Sequence, residues 1–157
     1  MNLILGPSGP YRIAVGRCGI GEKRREGDGV TPAGTWPVRR VLYRAGKCVP
    51  KTKLPATQIT QDDGWCDAPH DPAYNTQVKL PYAASHERLW RDDDLYDLVV
   101  VLGFNDAPVV AGAGSAIFLH VARPDFGPTE GCVAVSREDL LAIVARLAPG
   151  DTVTINP

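Results

Sequence analysis

A thiol and an imidazole stand twelve positions apart near the end of this 157-residue chain. Cys132 lies in PTEGCVAVS, and His120 closes the apolar run AIFLH. Thiol catalysis needs a thiolate, a base for its proton, donors for a developing oxyanion, and room for substrate. Residues 115 to 136 can supply most of these. Strand alternation over Ser115 to His120 puts Phe118 and His120 on one face and Ile117 and Leu119 on the other. His120 then stands at a sheet rim, where the strand gives way to the Pro/Gly-rich loop VARPDFGPTEG. That loop is long enough to return Cys132 to its side. Gly131 leaves room for a substrate carbonyl to approach the backbone. The amides of Gly131 and Cys132 are natural oxyanion donors, and a nearby histidine favours the thiolate. No carboxylate is placed to orient His120, a task open to a backbone carbonyl. From spacing alone a packed, inert cysteine is the reading that comes first.

The elements around this pair read as mostly strand. Proline (14) and glycine (16) recur throughout, between short Val/Ile/Leu runs, which is the pattern of many short strands and few helices. Leu3-Ile4-Leu5 and Tyr11 to Val15 read as a first hairpin around Gly6 to Pro10. Thr35 to Tyr43, Asp97 to Phe104, Ser115 to His120 and Thr152 to Ile155 read as further strands, with DLVVVLGF a buried central one. Residues 44 to 82 carry little periodicity and read as a long irregular insertion with local structure. One helix is clear. Ser136 is its N-cap, Glu138 and Asp139 fill its first turn, and Pro149-Gly150 stops it. Leu140, Leu141, Ile143, Val144 and Leu147 form its apolar stripe. The expected class is mainly β (α+β), one domain over 1–157.

Bulk composition narrows the function. Acids number 18 and bases 17, so nothing supports a nucleic-acid surface or a polybasic membrane surface. The run Glu22-Lys23-Arg24-Arg25-Glu26 reads as a solvated loop. The apolar run Leu98 to Leu102 is far too short for a membrane span. The N-terminus shows no export signal, so the expectation is a cytoplasmic protein as written, or a periplasmic one if a leader was removed. Cys18, Cys48, Cys66 and Cys132 are too scattered for a disulfide scaffold. A Cys48–Cys66 pair is open if the protein is exported. Cys66 and His70 alone make a poor metal site. Trp65 and Trp90 suit core packing better than a groove.

Longer strings resemble a known family. GSAIFLHVARPDFGPTEGCVAVS resembles the catalytic core of the L,D-transpeptidase (YkuD-type) family, whose pattern is a strand-end His, a loop, then Ser/Thr-x-Gly-Cys. Thr31-Pro32-Ala33-Gly34-Thr35-Trp36 resembles that family's Thr-Pro-x-Gly-x-aromatic lead into a strand, and Ala148-Pro149-Gly150-Asp151-Thr152-Val153 its final turn and strand. The resemblance implies a YkuD-like β-sandwich or curved mixed sheet, with the main helix after the cysteine. It implies a cysteine acyl-enzyme acting on peptidoglycan stem peptides or muropeptides without a cofactor. Cys132 then attacks the carbonyl before a terminal D-amino acid. His120 moves the proton, and Gly131 and Cys132 hold the oxyanion. An amine acceptor gives transpeptidation, and water gives L,D-carboxypeptidase hydrolysis. Candidate substrate contacts are His86, which reads either as a wall of the cleft or as a surface or capping histidine just before a short helical turn, Arg123, whose first reading is a solvated loop arginine, and Thr129 of the Thr-x-Gly-Cys pattern. Two positions depart from the family's habit: Glu130 stands where a second His is common, and Ala134 where a basic residue is common. Those departures motivate a rival reading, a non-catalytic muropeptide-binding module on the same fold.

Overall fold

The computed structural model describes residues 1–157. In chain order the strands are β1 (Asn2–Leu5), β2 (Ile13–Ala14), β3 (Ile20–Gly21), β4 (Thr31–Pro32), β5 (Gly34–Tyr43), β6 (Ala56–Gln58), β7 (Asp63–Cys66), β8 (Gln77–Lys79), β9 (His86–Arg88), β10 (Leu98–Leu102), β11 (Phe118–Val121), β12 (Val133–Val135) and, after helix α1 (Arg137–Arg146), β13 (Thr152–Ile155). The main sheet runs β1-β13-β5-β10-β11-β12-β2, with β6 added to β5. It is mixed: β1 is parallel to β13 and β11 to β12, while β13, β5, β10 and β11 alternate in direction. The ten-residue β5 pairs with β13 through its first half and with β10 and β6 through its second.

Alternation along β10 and β11 divides the interior into two cores. Leu98, Val100, Leu119 and Val133 face one way, against Leu140, Ile143 and Val144 of α1. Val99, Val101, Phe118 and Cys132 face the other way, against Trp65, Leu89 and Tyr96. The helix forms as expected. Ser136 accepts from the Asp139 amide at 3.0 Å and caps it, and Arg137 in its first turn reaches the buried Asp97 at the start of β10. Of the apolar stripe only Leu141 is substantially exposed, at 37%. No helix is long and apolar enough to cross a membrane.

Several expectations need correction. The first hairpin does not form: β1 and β2 occupy opposite ends of the main sheet path. Gly6 to Pro10 is therefore a crossing segment rather than a hairpin turn. The strand expected from Ser115 begins only at Phe118, because Ala116 has φ 53°, outside the extended region. Residues 44 to 82 are more ordered than read. They include β6, and most of the three-stranded sheet β8-β7-β9, which β9 completes. This sheet has a buried side-chain anchor that no local pattern announces. The Asn75 amide oxygen accepts from Trp65 Nε1 and the Ala116 amide, each at 3.0 Å, and its nitrogen donates to the Phe104 and Asn105 carbonyls. Cys48 and Cys66 are free thiols and do not pair. Cys48 packs at the edge of the helix-side core, whereas Cys66 is buried on β7.

Leu119→Ala removes a fully buried side chain from between the sheet and α1. The expected cost is about 2–5 kcal/mol, read by urea unfolding. Leu141→Ala on the outer face is expected to stay within about 0.5 kcal/mol of the parent.

Candidate active site

The connection from β11 to β12 decides where the thiol goes. Parallel neighbours require a return crossover, and residues 122 to 132 make it. The register places His120 opposite Ala134. Cys132 therefore leads into β12 two residues before His120's partner and on the same face. The small side chain of Ala134 lies across from the imidazole, where the family commonly has a basic residue. The crossover is tied down by backbone bonds from Thr129 to Val15 and from Arg17 to Thr129, at 2.9 and 3.0 Å. Arg12 lies 4.1 Å from the centroid of the Phe126 ring.

Two threonines clamp the Cys132 carbonyl. Thr129 Oγ1 donates to the Cys132 oxygen at 2.7 Å and Thr31 Oγ1 at 3.2 Å. Thr31 is fully buried and also accepts from the Gly16 amide at 2.8 Å. The Thr-Pro-x-Gly string thus acts at a distance of 101 residues, holding the turn that presents Cys132. Gly131 has φ 142°, in the region that favours glycine. A Cβ there would stand 3.0 Å from the Val30 carbonyl. The Gly131 amide donates to Thr129 Oγ1 at 3.1 Å. It is engaged inside the turn, whereas the Cys132 amide has no acceptor in the protein. Thr129 therefore shapes the turn before Cys132, its hydroxyl bonded to both the Cys132 carbonyl and the Gly131 amide.

The thiol is buried, at 8% exposure. It donates to the Ala116 carbonyl at 3.1 Å, and its sulfur accepts from the Phe118 amide at 3.4 Å. Burial first, then the nearby Glu87 carboxylate, push its pKa up to about 12, against the pull of the Phe118 amide, Lys23 and Tyr96. This runs against the expectation of a preformed thiolate: desolvation outweighs the favourable neighbours. His120 is 5% exposed. Its Nδ1 lies 2.9 Å from the Val121 carbonyl, the backbone orienter anticipated for it. That contact makes Nδ1 the N–H and leaves Nε2 as the free base. Burial lowers the imidazole pKa to about 4. No hydrogen bond joins His120 to Cys132 directly; each is held by its own carbonyl.

Tyr96 stands beside both. Its ring meets His120 edge-on at 5.2 Å and Phe118 at 5.9 Å, and its hydroxyl donates to Glu87. Burial, with the Glu87 charge next, holds the phenol well above its ordinary range. Glu87 is itself raised, by burial first, with Tyr96 and Arg91 pulling the other way. These groups line one cleft of about 480 Å³. Cys132, His120 and Tyr96 lie at its base. Asp67, His86 and Glu87, from the three-stranded sheet and the turn beside it, make one wall, and Lys23, Glu26 and Gly131 another. His86 lies on β9, not before a helical turn, and its Nδ1 lies 2.8 Å from the Ala84 carbonyl. Arg123 is exposed at the rim. Glu130, at the family's second-His position, points outward to Arg17.

Sequence reasoning missed Lys23, Glu87 and Tyr96. The Glu22–Glu26 run is only partly the solvated loop it resembles. Glu22 and Arg24 are exposed, but the Lys23 side chain is 3% exposed and paired with Asp28 at 2.7 Å. Glu26 accepts from the Tyr74 hydroxyl at 2.5 Å. The available signal was Asp28 between two glycines, a compact turn able to fold back on a lysine. Glu87 and Tyr96 carried no local signal; their meeting depends on β9 packing against the segment that leads into β10.

Comparison with known proteins accords with this arrangement. No curated protein and no solved structure matches the chain. The model of the L,D-transpeptidase catalytic domain family (YkuD) matches residues 6–155, nearly the whole chain. With its mixed sheet, its helix after the cysteine and its Cys/His cleft, this chain belongs to the YkuD family of L,D-transpeptidase catalytic domains.

Proposed function

We propose that the chain is a cysteine acyl-enzyme catalyst on peptidoglycan stem peptides, cleaving before a terminal D-amino acid. The observation that carries the reading is the cleft itself. Within a fold of this family, a thiol and an imidazole open into one cavity, and the Val121 carbonyl leaves Nε2 of that imidazole free as a base. Cys132 Sγ adds to the carbonyl carbon and its proton passes to His120 Nε2. The carbonyl π pair moves onto oxygen, toward the unengaged Cys132 amide. On collapse the C–N bond breaks, and the imidazolium returns the proton to the departing amine. Water or a second amine then resolves the thioester, as hydrolysis or as transpeptidation. In the resting site thiol and imidazole are both neutral, so the ion pair arises only as the sulfur attacks.

The same resting state favours a second reading, a muropeptide-binding module without turnover. A thiol near 12, an imidazole near 4 and no bond between them are also what an inert packed pair would show. Incubation with tetrapeptide muropeptides, read by mass spectrometry, separates the two. Loss of the terminal D-amino acid with uptake of water is the carboxypeptidase result. Its exchange for another D-amino acid is the transpeptidase result. Both are expected to vanish in Cys132→Ala. Saturable binding with intact peptide, equal in both proteins, supports the module instead.

Two pH predictions follow from the buried pair. Alkylation of Cys132 by iodoacetamide is expected to lag that of exposed Cys18 at pH 7.5 by about 100-fold or more. It should climb about tenfold per pH unit toward pH 11, since the thiolate fraction grows in that proportion below the pKa. A fast plateau below pH 8, by peptide mapping, contradicts it. For turnover, the base must be neutral imidazole. A lowered pKa keeps it neutral down to about pH 4, so the acid limb of kcat/KM is expected near 4. An acid limb at 6 to 7 contradicts the buried-base account.

A further inference from the structure

We infer that Lys23 is a catalytic residue of this centre, its ammonium donating to the oxygen that becomes negative when Cys132 adds to the substrate carbonyl. The inference rests on the acyl-enzyme reading above. It begins from a shortage. The resting thiol and imidazole are both neutral, so attack creates a charge pair at the base of a buried cleft, and the oxyanion must be met by donors. The Gly131 amide is committed to Thr129 Oγ1 at 3.1 Å. Of the two amides expected as oxyanion donors, only that of Cys132 is without an acceptor in the protein.

Lys23 stands where a second donor is needed. Its side chain is 3% exposed yet lines the cleft. Two of its three N–H groups are taken, by Asp28 Oδ1 at 2.7 Å and the Val30 carbonyl at 3.3 Å. The third has no acceptor in the protein. Room for the side chain comes from two glycines with positive φ. A Cβ on Gly114 would come within 2.5 Å of Lys23 Cε, and one on Gly131 within 3.4 Å of Nζ. The ammonium is thus a direct neighbour of the residue preceding the nucleophile. Next to Gly114, Ser115 is 7% exposed and lines the same cleft, and its hydroxyl has no partner. This end of the cleft holds donor capacity that the protein itself does not consume, as expected of a place filled by a ligand.

The loop is built to hold that ammonium still. Asp28 Oδ1 also accepts from the Val30 amide, and Oδ2 from the Arg24 and Arg25 amides, at 3.0, 2.9 and 3.3 Å. Burial alone would raise this carboxyl, but Lys23 and the three amides hold it well below its usual range. A fixed, charge-assisted N–H in a dry site strengthens as charge develops opposite it. Lys23 keeps its proton throughout. It donates to the oxygen while the C–S bond forms, and releases that oxygen when the carbonyl re-forms and the C–N bond breaks. The thiol proton travels only through His120. The alternative role, holding the substrate's terminal carboxylate, suits this lysine less well. Its ammonium sits buried beside Gly131, next to the attacking sulfur's own residue, whereas exposed Arg123 offers an unburied cation at the rim.

The test compares wild type, Lys23→Met and the charge-balanced Lys23→Met/Asp28→Asn, each confirmed folded by circular dichroism and thermal melting. Three rates are read: Cys132 acylation by a carbapenem, acylation by tetrapeptides ending in a free acid or an amide, and Cys132 alkylation by iodoacetamide at pH 9.5. Alkylation makes no oxyanion. The expected result is a loss of about 10²–10³-fold in acylation by all acyl donors in both variants, with alkylation changed by under about tenfold. Equal losses in acylation and alkylation would overturn the inference, because Lys23 would then act on the thiol alone. A loss confined to free-acid peptides would overturn it in favour of carboxylate binding. Unchanged acylation in the variants would remove this inference alone. No acylation of wild-type Cys132 by any donor would remove the underlying reading and this inference with it.

Discussion

The parallel pairing of β11 with β12 is the constraint on which the site depends. Adjacent parallel strands cannot be joined by a tight turn, so the chain must leave the end of β11 and travel back before entering β12. That return delivers Cys132 to the start of one strand, while His120 stays near the end of its neighbour. The offset is two residues on a shared face, close enough for one cleft and too far for a resting hydrogen bond. The loop that pays this topological cost also carries Gly131, Thr129 and Glu130. Its conformation is fixed from outside, by Thr31 on the Cys132 carbonyl and by Val15 and Arg17 on Thr129. Much of the first third of the chain therefore serves the last.

The second consequence is electrostatic. The face that Cys132 and His120 share is the face that packs against Trp65, Leu89 and Tyr96. Burial there keeps both groups neutral, and the nearby Glu87 carboxylate reinforces this for the thiol. A site of this kind stores no preformed thiolate. On the acyl-enzyme reading proposed above, it leaves activation to a substrate whose carbonyl oxygen is met by donors already in position. The three-stranded sheet supplies both burial and one wall of the cleft, so the segment with least periodicity governs the surroundings of Cys132.

Legibility in the sequence followed the range of each interaction. The helix was readable because its signals are local: Ser136 at the cap, acids in the first turn, Pro149-Gly150 at the stop. The facing of Phe118 and His120 against Ile117 and Leu119 followed from strand alternation, and both cores keep it. The placing of β1 beside β13 was not readable, because Gly6 to Pro10 punctuates a crossing as readily as a hairpin. Lys23 was hidden in a run of charges whose neighbours are exposed; only the fold of Asp28 around it turns one member inward. The raised thiol pKa depends first on burial and then on Glu87, both brought about by packing between segments far apart in sequence. Asn75 ties that packing together through four hydrogen bonds spread over three chain segments.

The central claim is that Cys132 carries the acyl group. Acid-quenched incubation with a tetrapeptide muropeptide, followed by intact-protein mass spectrometry and peptide mapping, tests it most directly. The account predicts an adduct equal to the substrate acyl portion without its terminal residue, confined to the peptide that contains Cys132. Substrate consumed with no such adduct, or an adduct carried by Cys18, Cys48 or Cys66 instead, would contradict it.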